Sequence, residues 1–130
     1  MPGKQPMKNQ KIKVLLIDDE EEFTLALAGR LEFRGYLCKT ASDGESGIRL
    51  VTNETFDIAL IDLMMPGLNG LDTLKHIKAI NPDLPIILLT GNKHIKDGMT
   101  AMRLGAFDYL IKPLDINALI DKIKLALVSP

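Results

Sequence analysis

Three short runs constrain the fold more than anything else in this sequence: "VLLI" at residues 14–17, "IALI" at 58–61 and "IILL" at 86–89. A strand with one solvated face alternates apolar and polar residues, whereas one covered on both faces reads as an unbroken aliphatic run. Longer amphipathic stretches separate the runs. Strands are expected at Lys13 to Ile17, Tyr36 to Ala41, Ile58 to Asp62, Ile86 to Thr90 and Phe107 to Ile111. Helices are expected over Glu21 to Arg34, Gly44 to Thr52, Gly70 to Asn81, Ile95 to Leu104 and Asp115 to Leu127. In the last of these, Ile116, Leu119, Ile120, Ile123 and Leu127 share one face at spacings of three and four. Gly35 and Gly105 stand where helices stop, and Asn81-Pro82 closes another.

Alternating strands and helices imply an α/β fold, a parallel sheet with helices on both faces. Right-handed crossovers then favour a doubly wound arrangement. "YLCKT" is the most polar run and belongs at an edge. The 130 residues suit one domain with a real core. A polar tail is expected over 1–11, the domain over 12–127, and a C-terminal tail or the start of a linker over 128–130, which Ser129-Pro130 would suit. The formal charge of −1, with acids and bases interleaved, gives no reason to expect this segment to bind nucleic acid or a membrane. Cys38 is the only cysteine, which excludes an internal disulfide and fits a reducing compartment. The apolar run behind the basic start is too short for a signal peptide, so a soluble, cytoplasmic protein is expected.

Four of the strands end in polar residues: Asp18-Asp19, Asp62, Thr90 and Lys112. In a parallel sheet these ends share one edge, where open α/β sheets bind their ligands. Polar loops could account for any one of them. Together they bring three carboxylates, a hydroxyl and an ammonium to one place. Carboxylates at close range repel unless a cation is present, and an all-oxygen cluster suits Mg²⁺. With Lys112 and Thr90 added, the set would clamp a phosphoryl group, and a carboxylate can itself form an aspartyl phosphate.

With these motifs in hand, the chain resembles the receiver domain of bacterial two-component response regulators over about residues 12 to 127. The resemblance rests on "VLLIDDEE", "IALIDLMMPGLNG", "IILLTG" and "GAFDYLIKPLD" in that order and spacing. It implies a flavodoxin-like (βα)5 fold with strand order 2-1-3-4-5. It also implies that Asp62 takes a phosphoryl group from the phosphohistidine of a sensor histidine kinase or phosphotransfer protein. Asp19, Asp62 and the backbone carbonyl of Met64 would bind Mg²⁺ (or Mn²⁺), and Asp18 would act through water. Lys112 would pair with the phosphoryl group, and its bond to Pro113 is commonly cis in the family. On this reading "MMPGLNG" is the turn that leaves the Asp62 oxygens open.

The resemblance further implies a switch. The Thr90 hydroxyl would swing to the phosphoryl oxygen and Tyr109 would turn inward behind it. The surface of the fourth helix, fifth strand and fifth helix would then change for an output domain, a downstream partner or a phosphorylation-dependent homodimer. The positions expected to modulate the chemistry are Met64, Gly91 and Asn92. Met64 offers no polar group to hold a hydrolytic water and Asn92 does, so the aspartyl phosphate is not expected to be unusually short-lived. Gly98 should weaken the fourth helix by about 1 kcal/mol relative to alanine, which suggests a mobile element. His76 and His94 read as surface residues. Glu20, Glu21 and Glu22 read as favourable charges at a helix N-terminus, with Glu20 near the metal's water shell.

Two alternatives belong to other classes. One is a Mg²⁺-dependent phosphatase of the haloacid-dehalogenase type, which generally needs a second acid where this chain has Met64. The other is a degenerate receiver that only binds partners, although the acceptor, the acidic pair and the lysine are all present.

Overall fold

The structure, a computed structural model, describes residues 11–65, 67–91 and 95–128. Asn92 and His94 lie outside the described residues. The elements run β1 (Lys13–Ile17), α1 (Glu21–Phe33), β2 (Leu37–Ala41), α2 (Gly44–Asn53), β3 (Ile58–Asp62), α3 (Gly70–Ile80), β4 (Ile86–Thr90), α4 (Ile95–Arg103), β5 (Asp108–Ile111) and α5 (Ile116–Val128). The expected ends differ from these by no more than one residue, for local reasons. Tyr36 stands just ahead of β2, because its N–H closes the turn after α1 by donating to the Leu31 carbonyl at 3.1 Å. Asp115 stands just ahead of α5, accepting from Leu119 N through its carbonyl and from Asn117 N through its carboxylate.

All strand pairs are parallel, in the order β2-β1-β3-β4-β5. The α/β, doubly wound (βα)5 fold is therefore as expected, with "YLCKT" at an edge. Side chains of the inner strands alternate between two cores. Leu15, Ile17, Ala59, Ile61, Ile86 and Leu88 pack with Val51, Leu74, Ile77 and Ala101, beneath α2, α3 and α4. Val14, Leu16, Ile58, Leu60, Ile87 and Leu89 pack with Leu27, Leu31, Leu119, Ile123 and Ala126, beneath α1 and α5. The aliphatic runs are continuous because both faces are covered. Burying each such side chain is worth about 1.5–3 kcal/mol, which makes β1, β3 and β4 a rigid base for whatever their C-terminal ends carry. Among the described residues, no helix is long and apolar enough to cross a membrane.

Candidate functional site

The C-terminal ends of β1, β3, β4 and β5 meet at one edge of the sheet, and the backbone carries the ladder just past them. Asp18 N donates to the Ala41 carbonyl at 3.0 Å, Leu63 N to Leu89 at 2.8 Å and Lys112 N to Thr90 at 2.7 Å. The next residue in each chain is released from the sheet while its neighbour is still held. After β3 the chain turns through Gly67, at φ 75°, and Gly70 N donates back to the Leu63 carbonyl at 2.9 Å. Only glycine fits at 70. A Cβ there would lie 2.4 Å from the Asp62 carbonyl oxygen and 2.6 Å from Leu63 Cα, both backbone atoms. This close approach lets α3 start directly behind the strand end, with Asn69 capping it by accepting from Asp72 N.

Three carboxylates converge here. Asp18, Asp19 and Asp62 each place an oxygen within 4.8 Å of the others. Asp18 and Asp62 are buried and Asp19 is exposed. Lys112 enters from the end of β5, after which its bond to Pro113 is cis. Its Nζ lies 2.8 Å from Asp18 Oδ2, 3.0 Å from Glu20 Oε1 and 3.3 Å from Asp62 Oδ1. The other Asp18 oxygen accepts from Glu20 N at 2.9 Å, which fixes the turn into α1.

The electrostatics follow from this crowding. Burial pushes the Asp62 carboxyl up to about 6, and the charges of Asp18 and, more weakly, Asp19 add to the rise against the pull of Lys112. Burial opposes the charge on Lys112. Its hydrogen bonds to Asp18 and Glu20, with the charges of Asp62 and Asp18, outweigh that and hold the amine above its ordinary value. One ammonium among these carboxylates leaves the edge short of positive charge. The all-oxygen donor set and the upward push on Asp62 both fit a hard divalent cation.

The remaining site residues lie around this cluster. Thr90 is buried at the end of β4, and its hydroxyl donates to the Gly91 carbonyl at 3.2 Å. Tyr109 lies toward α4, where a Cβ on Gly98 would come within 3.1 Å of three atoms of its ring. Met64 is exposed at the rim. His76 bonds within its own helix, to the Asp72 carbonyl. Sequence reasoning placed Glu20 at the head of a helix but missed its partner: the side chain makes no cap and pairs with Lys112 instead. It also missed Phe23, whose ring centroid is 4.3 Å from Lys112 Nζ. The only signal in the sequence was an aromatic four residues after Asp19.

The sequence profile of the family described as "Response regulator receiver domain" matches residues 14–124. An uncharacterized transcriptional regulatory protein of Bacillus subtilis (strain 168), YkoG, is 34% identical over 118 residues, covering 91% of this chain and 52% of the relative. A response regulator receiver domain protein from Clostridium thermocellum superposes with a TM-score of 0.86 at 36% identity, covering 89% of this chain and 94% of that one. A response regulator protein from Burkholderia pseudomallei was solved with a phosphorylated aspartic acid, a calcium ion and citrate. It superposes with a TM-score of 0.83 at 30% identity, covering 90% of this chain and 69% of that one. The chain spans about a quarter to a half of the length of the first curated relatives it matches.

Proposed function

Because the chain belongs to the response regulator receiver family, whose work is two-component phosphorelay signalling, we propose that Asp62 is its phosphoacceptor. The observation that carries this reading is the buried Asp62 carboxylate at a strand end, 3.3 Å from the Lys112 ammonium and beside Asp18 and Asp19. A carboxylate oxygen of Asp62 attacks the phosphorus of a kinase phosphohistidine. The P–N bond breaks, the imidazole leaves with its electron pair, and an acyl phosphate remains. The relative solved with a phosphorylated aspartic acid and a calcium ion supports the same chemistry here.

Asp19, Asp62 and the Met64 carbonyl would hold Mg²⁺, with Asp18 acting through water; when bound, the ion offsets charge on the carboxylates and the phosphoryl oxygens. Lys112, already at the acceptor, meets the added negative charge. The Thr90 hydroxyl gives up its bond to the Gly91 carbonyl for a phosphoryl oxygen, and Tyr109 follows it. The reading of that change falls to α4, β5 and α5. These elements carry Met99, Met102, Ile111, Leu125 and Val128, half of the large exposed apolar side chains among the described residues. An output domain, a downstream protein or a second copy would dock there. The family match gives no support to the phosphatase alternative.

Intact mass after incubation with acetyl phosphate tests the reading. The chain should gain one phosphoryl group, about 80 Da, only with Mg²⁺ present, and the adduct should outlast minutes rather than seconds. Asp62→Asn should gain nothing. No adduct on a folded, Mg²⁺-supplied chain would overturn the assignment.

A further inference from the structure

Three carboxylates account for the charge of Lys112, but they do not fix where its ammonium rests. A flexible four-carbon stem among Asp18, Glu20 and Asp62 has several places to settle. The fourth neighbour is not an anion. Phe23, in the first turn of α1, holds its ring centroid 4.3 Å from Lys112 Nζ. The ring is half-buried and packs against the core beneath α1 and α5, so it is a fixed surface rather than a loose side chain. The turn that presents it is also fixed, because Thr24 donates to the Glu20 carbonyl through both its N–H and its hydroxyl, each at 2.9 Å. The Lys112 side chain is only 18% exposed. An ammonium over an aromatic face is held more firmly where water is excluded.

Resting on the reading that Asp62 is the acceptor, we infer that Phe23 is a positioning residue for phosphoryl transfer: its ring face, with Glu20 beside it, seats the Lys112 ammonium on the α1 side of Asp62, where it meets the incoming phosphoryl group. A leucine at 23 would fill much of the same volume and keep the packing, but it offers no π face. The residue therefore acts through Lys112 and touches no reacting atom.

The test compares the unmodified chain with Phe23→Leu and Phe23→Trp at saturating Mg²⁺. The rate of adduct formation from acetyl phosphate is read by intact mass, and the ε-methylene protons of Lys112 are read by NMR. A lysine seated over a ring has those protons shifted upfield. The expected result is an upfield position in the unmodified chain and the Trp variant, and an ordinary one in the Leu variant. Phosphorylation of the Leu variant should be about three- to tenfold slower, with Trp restoring the rate. A Leu variant as fast as the unmodified chain, a Trp variant as slow as Leu, or an unshifted Lys112 in the unmodified chain would each overturn the inference while Asp62 remained the acceptor. An unmodified chain that takes no phosphoryl group would instead remove the acceptor reading, and this role with it.

Discussion

Asp62 is held against its own electrostatics. Its carboxyl titrates at about 6 in the fold against an ordinary value of 3.8, chiefly because it is buried and secondarily because Asp18 is close. The native state therefore binds this proton more tightly than the unfolded chain, so stability falls as pH rises through that interval. Above about 6 the full cost is present; below 3.8 it is absent. In metal-free buffer near neutral pH, Asp62→Asn should raise stability by roughly 1–3 kcal/mol. Denaturant melts as a function of pH should show that advantage shrinking from about pH 6 down to about pH 4. A variant no more stable than the parent at neutral pH would show that Lys112 already compensates the charge in full. Asp62 could be singled out from the sequence because a strand end and a motif announce it. Glu20 and Phe23 could not be joined to Lys112, because Glu20 and Lys112 lie 92 positions apart and only the finished sheet brings them together.

Among the elements, the inner strands are legible because burial on both faces leaves an unbroken aliphatic signature, and the differences fall at helix ends and at the starts of the edge strands β2 and β5. The fourth helix is less fully legible in its own residues. By its sequence alone Gly98 is a weakness, since a glycine inside a helix costs about 1 kcal/mol relative to alanine. Its place in the structure is spatial: the backbone of α4 leaves room for the Tyr109 ring, and a Cβ would intrude to 3.1 Å. That reason depends on how β5 lies beside α4, which no local pattern encodes. Gly98→Ala sets the two effects against each other, better helix propensity against displacement of a ring at the sheet edge. The unfolding free energy should move by less than about 1 kcal/mol, while the NMR signals of the Tyr109 ring move clearly. A plain gain in stability with unmoved tyrosine signals would show that the ring is not seated there.

At the level of the whole molecule, the acidic cluster joins the end of β3 to the turn after β1, so a cation bound there should stabilise the fold as a unit. At a Mg²⁺ concentration about ten times its dissociation constant, the gain should be roughly 1.4 kcal/mol, read as a rise of several degrees in the melting temperature. Asp19→Asn should lose most of that rise, since Asp19 is the exposed member of the cluster and its removal leaves the cores intact. An equal rise in the variant would place the cation elsewhere. The strand order has a consequence of another kind, which concerns crowding and solubility. The outermost strands are β2 and β5, and each is a poor template for a neighbouring chain. β2 is largely exposed and carries Lys39, which is paired with Glu54. β5 has only four residues, and its first, Asp108, is paired with Lys122. Short or charged edges of this kind blunt strand-to-strand aggregation. The edges therefore favour association of copies through helix faces and side chains over lengthening of the sheet.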